Sequence, residues 1–364
     1  MIVHLSISKK NAPQGVSTVV DNIDQCFEKY NHKVIREPKV YKEIGAGGKI
    51  TNNKKKSIKT GLINTKWVYV LYFSIRAFLL VFKNKNEIKN ADYLICHDVF
   101  VLIMANLFSR TPLALYNHSD GNPIDTLSIG SSSFLDDISV RIISNMFLNS
   151  NISTVYSLSD TASERFKSVF LRKARNDVKF ITIDNFTKTQ SPQPYISKKP
   201  KIWIIGTVCD RKRQLQYIEM LGNRLQNFKY KFNLLGKCSG DDYSKLMSTG
   251  LVESVSCVSD IKEYVSRGDI LVSLSENEGL PMAMLECSSL GLVLISTDVG
   301  GCKKICRHQE NGILLGKNPT IEEVDNAIKS ILSSDDIRSF YSESSLLIHK
   351  KYFSPEANIK QWLM

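Results

Sequence analysis

Two glutamates are the residues of this sequence best placed to do chemistry. Glu278 and Glu286 stand in the stretch SENEGLPMAMLE, Ser275 to Glu286. The apolar run ILVSL before it, ending at Leu274, reads as a buried strand. Ala283 to Leu290 favours helix, with Pro281 where a first helical turn tolerates proline. The stretch is therefore strand, tight glycine loop and helix, with Glu278 and Gly279 in the loop. Glu286 lies five residues beyond Pro281, roughly 7.5 Å up the helix at ~1.5 Å per residue. The free N–H groups and positive dipole end of such a helix suit a phosphate, whereas carboxylates suit the hydroxyls of a sugar or ribose.

Other polar groups recur at strand ends. Lys201 to Gly206 reads as a strand, and Thr207 to Arg213 (TVCDRKR) as the loop that leads into a helix. Basic residues in a loop are by themselves usually only solvated. Asp92 to Asp98 ends in the pair His97-Asp98, and Leu113 to Gly121 ends in a polar loop that carries His118. Doubly wound folds put functional groups at such C-terminal strand ends, although a histidine there can also merely cap a strand.

Glu278 and Glu286 at this spacing, with Gly279-Leu280-Pro281 between them, GLVLISTDVGG after them and NGILL later, resemble the donor site of one enzyme family. This is the large family of retaining glycosyltransferases, glycosyl transferases group 1, that includes bacterial lipopolysaccharide, capsule and mannosyl transferases. The match is strong from Ile202 onward and holds only in outline before it. The resemblance implies an α/β protein of the GT-B fold, with two Rossmann-like doubly wound domains facing across a cleft and a C-terminal helix that crosses back to the first. On that basis residues 1–190 are expected to form an acceptor-binding domain and 191–200 a linker, consistent with the proline-rich SPQPYISKKP. Residues 201–345 are expected to bind the nucleotide sugar, and 346–364 to return to the N-terminal domain.

The resemblance also implies roles. Glu278 accepts hydrogen bonds from sugar hydroxyls, Glu286 binds ribose, and Arg211 and Lys212 hold the donor diphosphate, with Arg213 blurring the register. Gly206, Gly279, Leu280 and Pro281 belong to the donor site. His118 matches an active-site histidine, and the SDG loop after it favours it over His97. Gly15 matches a glycine in a cleft-facing loop. The family often has two adjacent glycines where this chain has Gln14-Gly15, so ordinary turn chemistry is a rival explanation.

The composition bounds these expectations. A chain of 364 residues suggests two domains, and its 43% apolar and 23% charged residues are those of an ordinary soluble protein. With 48 basic against 36 acidic residues its net charge is +12, which favours an anionic partner. Nucleotide-sugar phosphates and an anionic membrane surface both qualify. Nucleic acid is not expected, because no nucleic-acid motif is present and aromatics are not interleaved with the basic runs. The eight cysteines form no C-x-x-C pair, and Cys302 with Cys306 lacks the second ligand pair of a zinc site. They suit a reduced, cytoplasmic protein. The start MIVHLSISKK is too short and too soon charged for a signal peptide. Glu43 to Lys59 is glycine-rich and basic but fails the Walker spacing at Glu43 and Ile50.

Trp67 to Phe82 is the most hydrophobic window, interrupted by Ser74 and Arg76 and too short to span a bilayer. It reads as a helix, either buried in the N-terminal domain or lying at a membrane interface, with lysines at 54, 55, 56, 59, 66, 83 and 85 around it. The expected activity is transfer of a sugar from a nucleotide-sugar donor to a growing, lipid-linked glycan in O-antigen, capsule or lipopolysaccharide assembly, at the inner face of the cell membrane. No Asp-x-Asp motif is present, so the transfer is expected to need no metal, with the nucleotide sugar as co-substrate. The rivals are a nucleotide-sugar epimerase of the same fold and a non-catalytic, basic membrane-binding protein.

Overall fold

The computed structural model describes residues 1–8, 15–27, 30–36, 66–119, 151–170, 178–191, 198–224, 230–258 and 260–362, with single helical positions at 138, 141 and 145. The basic loop at 43–59, the Asp120-Gly121 turn and residues 192–197 of the proline-rich stretch lie outside them. The chain forms two compact units, Met1–Ala12 with Ile23–Ile183, and Pro13–Asn22 with Asp184–Met364.

In the first unit the strands are β1 (Ile2–Ser6), β2 (His32–Arg36), β3 (Tyr93–Cys96), β4 (Leu113–Asn117), β5 (Ile152–Ser157) and β6 (Lys179–Thr182). They pair in parallel in the order β2-β1-β3-β4-β5-β6. Parallel neighbours need long crossovers, and the helices α1 (Gly15–Phe27), α2 (Lys66–Lys83), α3 (Val99–Phe108) and α4 (Asp160–Phe170) lie in these connections. The strands are short and apolar because helices cover the sheet. Val3, Leu5, Leu94, Leu113 and Val155 share one core with Ala77, Leu80 and Val81 of α2 and with Val101, Leu102 and Ala105 of α3.

From Leu71 onward the helix α2 buries only one stripe of its apolar surface. Leu71 (61% exposed) and Phe82 (51%) are open to solvent, as are Tyr72, Ile75, Phe78 and Leu79. Arg76, which breaks the apolar run in the sequence, serves the fold: its Nη2 donates to the Ile7 carbonyl at 2.7 Å, and its guanidinium lies 5.3 and 5.2 Å from the ring centres of Tyr72 and Phe73. Among the described residues no helix is long and apolar enough to cross a membrane.

The second unit repeats the architecture with β7 (Ile202–Ile205), β8 (Phe232–Leu235), β9 (Val252–Ser256), β10 (Ile270–Ser273), β11 (Val293–Thr297) and β12 (Gly312–Leu315). The parallel order is β12-β11-β10-β7-β8-β9. Its longer helices are α5 (Gln214–Arg224), α6 (Gly240–Ser248), α7 (Met282–Ser289), α8 (Ile321–Leu332), α9 (Asp335–Ile348) and α10 (Pro355–Trp362). Ser354 caps α10 through Ala357 N at 3.3 Å, and Trp362 meets the edge of Phe186 within this unit. At the N-terminal ends of β7 and β10, buried Asp269 accepts from Lys201 N at 3.0 Å and Trp203 Nε1 at 2.7 Å. Burial pushes its carboxyl up against these hydrogen bonds. That carboxylate ties strands together.

Each sheet has one point where the chain turns back to build the other side, between β1 and β3 in the first unit and between β7 and β10 in the second. Loops leaving neighbouring strands diverge there, so ligands of open α/β sheets bind at this position.

Candidate functional site

At the second switch point the loops after β7 and β10 meet. The N–H of Glu276 donates to the Arg211 carbonyl at 2.8 Å, which sets the two loops in register. The first loop turns sharply at Gly206, whose φ of +128° is a region that L side chains rarely adopt. A Cβ at Gly236 would lie 2.0 Å from the Gly206 carbonyl oxygen, so a second glycine permits that turn. The chain then winds through one short helical turn at Asp210–Lys212, which presents consecutive basic side chains in different directions.

These directions separate the three basic residues that the sequence leaves ambiguous. Lys212 Nζ lies 2.9 Å and Arg211 Nη1 3.1 Å from Glu278 Oε1. Arg211 also donates to the Asn277 carbonyl at 2.5 Å. Arg213 instead reaches the Lys317 carbonyl at 3.1 Å and Asn318 Oδ1 at 3.0 Å, from a left-handed backbone with φ of 55°. Ser275 Oγ adds a third donor to Glu278 Oε1 at 3.0 Å. Burial works to raise the Glu278 carboxyl, but Lys212 and Arg211 outweigh it and hold the group below the usual carboxylate range. The result is a mostly buried carboxylate under two cations, beside a small cleft whose lining includes Lys212, Gln214, Tyr217 and Ser275.

The TDVGG segment fixes the loop of Glu278 from the other side. Gly301 N donates to the Gly279 carbonyl at 2.6 Å, and a Cβ at Gly300 would fall 1.7 Å from the Glu278 carbonyl oxygen. The adjacent glycines thus allow one backbone to lie directly against another. Thr297 Oγ1 donates to the Ser275 carbonyl at 2.7 Å. Leu280 is buried, with its carbonyl accepting from Asn185 Nδ2 at 3.0 Å, and Pro281 directly precedes α7. Ser275 and the packing of Gly300 on Glu278 are contributions that sequence reasoning missed. A serine three residues before the glutamate was the only signal of the first.

Glu286 lies on α7. Burial, and secondarily the Asp260 carboxylate, push its carboxyl up to about 7 from its ordinary value of 4.5. A carboxyl whose folded pKa is raised contributes stability that is fully present below its unfolded pKa and is lost as pH rises through the folded value. Glu286→Gln should therefore match the wild type in urea midpoint at pH 4 and exceed it at pH 8. Equal midpoints at both pH values would show that the carboxyl ionises without penalty.

Of the remaining expected site residues, Gly15 opens α1 and belongs to the same compact unit as Glu278. His118 belongs to the first unit, where it directly follows β4, and its Nε2 lies 2.9 Å from Nδ1 of His97. The two histidines between which the sequence leaves a choice are hydrogen-bonded to one another. Among the described residues no group of three or more His, Cys, Asp or Glu side chains is arranged to hold a metal ion.

A model of the family described as Glycosyl transferases group 1 matches residues 199–334. The chain is 25% identical over 149 residues to the N,N'-diacetylbacillosaminyl-diphospho-undecaprenol alpha-1,3-N-acetylgalactosaminyltransferase of Campylobacter jejuni, a match over 39% of this chain and 38% of that protein. It is 25% identical over 103 residues to the N-acetyl-alpha-D-glucosaminyl L-malate synthase of Bacillus anthracis, over 28% of this chain and 27% of the other. The matches thus span well under half the length of these relatives. In three dimensions the chain resembles Anabaena HepE in complex with UDP-glucose, with a TM-score of 0.69 at 16% identity over 99% of this chain and 97% of that one. It also resembles the sucrose-phosphate synthase of Thermosynechococcus elongatus, with a TM-score of 0.67 at 14% identity over 99% and 96%. At these identities the likeness speaks for the fold, which is GT-B.

Proposed function

We propose that this chain, whose residues 199–334 form a glycosyl transferases group 1 domain within a GT-B fold, transfers a sugar from a nucleotide-sugar donor to a hydroxyl of a lipid-linked glycan with retention of configuration. The observation that carries the reading is the cluster of Lys212, Arg211 and Glu278 at the switch point of the second sheet. Glycosyl transfer places negative charge on the departing diphosphate. Two preorganised cations and the adjacent start of α7 can stabilise that charge, in place of a metal. The three donors to Glu278 converge on Oε1, which leaves Oε2 to accept from a sugar hydroxyl. Glu286 takes the ribose, Gly15, Gly206, Gly279, Leu280 and Pro281 shape the donor site, and His118 is the active-site histidine of the first unit.

Release of nucleoside diphosphate only when acceptor is added tests the reaction. An epimerase would convert the donor without acceptor, and a non-catalytic protein would release nothing. Screening nucleotide sugars by thermal stabilisation identifies the donor, since a ligand at 100 times its Kd adds about 2.7 kcal/mol.

The acceptor side of the proposal rests on the exposed apolar face of the first unit. Phe78 stacks on Phe82 at 5.7 Å and meets Phe108 of α3 at 5.6 Å, so the two helices share one patch. Lys85 Nζ lies 5.4 Å from the Phe82 ring, with Lys83 exposed beside it. An apolar face fringed with lysine suits an anionic leaflet at the cytoplasmic side, each cation adding about 1 kcal/mol. The undecaprenol-linked substrate named for the Campylobacter relative supports the same reading. Flotation with anionic liposomes is expected to carry the protein, less so at high salt, and Phe78→Ser with Phe82→Ser is expected to abolish it. Equal, negligible binding to anionic and neutral liposomes would remove the membrane from this proposal.

A further inference from the structure

The first unit contains a row of four histidines, of which the proposed transfer uses only His118. His32 opens β2, His4 lies within β1, and His97 and His118 directly follow β3 and β4. The strand register arranges them as a staircase. His32 is level with Ile2, two residues before His4. His4 is level with Ile95, two before His97. Cys96 is level with Leu115, which carries His97 to the level of Tyr116, two before His118. Each step moves one strand across and two residues up. Side chains alternate faces with a period of two, so all four imidazoles stay on one face. The row climbs roughly 20 Å at ~3.3 Å per residue, from the N-terminal end of the sheet to its C-terminal end.

The rings are hydrogen-bonded in sequence. His32 Nδ1 lies 2.8 Å from His4 Nε2, His4 Nδ1 lies 3.0 Å from His97 Nε2, and His97 Nδ1 lies 2.9 Å from His118 Nε2. Burial, helped at His4 and His97 by the neighbouring imidazoles, pushes those two well down; burial alone pushes His118 down to about 3, and burial with the Met1 amino charge lowers His32, so the rings are neutral at pH 7. A neutral imidazole has one donor and one acceptor nitrogen. A ring that donates through one nitrogen must accept through the other, so the tautomer of any ring dictates that of the next. The four therefore share either the Nδ1–H or the Nε2–H form. The groups around them hold the rings in place: Tyr116 packs edge-on to His118 at 4.3 Å, Phe27 edge-on to His32 at 5.4 Å. The terminal amino group of Met1 adds its charge near His32, and Asp98, beside His97, is held by the N–H groups of Ile7 at 3.2 Å and Val101 at 2.8 Å.

We propose that His32, His4, His97 and His118 form one proton relay, which fixes the tautomer of His118 and connects its outer nitrogen to the far end of the sheet. In the Nδ1–H form, a base at His118 takes the Nδ1 proton. His97 then passes its Nδ1 proton to His118 Nε2, His4 passes its own to His97 and His32 to His4, and water supplies one proton to His32 Nε2. One proton has entered and one has left. All four rings are neutral before and after, now in the Nε2–H form. The role of this relay in catalysis rests on His118 serving the proposed transfer; the relay itself is a property of the unliganded protein.

The full chain labelled with ¹⁵N-histidine tests it at pH 7 without donor or acceptor. Long-range ¹H–¹⁵N correlation is expected to show His4, His32, His97 and His118 in one common tautomer. His4→Gln and, at the milder edge position, His32→Gln are expected to shift the ring nitrogens of His118, although neither residue touches it. Mixed tautomers in the wild type would overturn the relay without any variant, as would His118 signals unmoved in a folded His32→Gln protein. A common tautomer in a protein that transfers no sugar would leave the relay standing and remove only the proposed reaction. Transfer with independent tautomers would do the reverse.

Discussion

Glu278→Gln is expected to lower kcat by about 10²–10³ while the nucleoside diphosphate of the proposed donor binds as tightly as before or more tightly. The carboxylate holds both Lys212 and Arg211 in the unliganded site, within 3.1 Å. A diphosphate entering the site must share those cations with it. Glutamine keeps the shape and a hydrogen-bonding oxygen but removes the competing negative charge, so the cations are freer to meet phosphate. In the proposed role of Glu278, turnover falls because a neutral amide accepts more weakly from the sugar hydroxyls as charge builds in the transition state. Calorimetric titration with the nucleoside diphosphate of the donor that the thermal screen selects, alongside a labelled-sugar assay, separates the two effects. Parallel loss of nucleotide affinity and kcat would assign Glu278 to nucleotide binding rather than to the sugar.

Lys212→Ala is expected to lower kcat by a similar factor, about 10²–10³, and to shift the pH profile as well. Burial alone would raise the Glu278 carboxyl, and Lys212 is the largest opposing influence. Its removal should move the acid limb of the profile upward, because Glu278 then loses its charge at higher pH. In the wild type the lowered carboxyl contributes stability above its unfolded value of 4.5, lost as pH falls through the folded one. Arg211→Ala, with a half-exposed side chain, should have the smaller effect. Activity is expected to persist in EDTA. Inactivation that Mg²⁺ or Mn²⁺ reverses would mean that a metal, and not these cations, carries the diphosphate charge.

Much of the second unit can be read directly from the chain, because its signals are local. The ILVSL run becomes β10, proline stands immediately before α7, and NGILL forms the edge strand β12. Each depends on apolar patterning, proline geometry or glycine turns within about ten residues. The resemblance carried by Glu278, Glu286 and the glycines likewise points to the right fold.

What the sequence left open is decided by contacts between distant segments. Whether Arg211, Lys212 or Arg213 faces Glu278 depends on a short helical turn and one left-handed residue, and no local pattern specifies which way consecutive side chains point. Two adjacent glycines at 300 and 301 look like a turn, yet their function is to let the Glu278 loop approach 22 residues away in sequence. The apolar window at 67–82 has too little amphipathic contrast to show which stripe is buried, and packing against α3 and the sheet decides it from Leu71 onward. His97 and His118 compete for one role when read as strand ends. Parallel register joins them to His4 and His32, because pairing across four strands, which no single segment encodes, brings residues up to 114 positions apart into one hydrogen-bonded row.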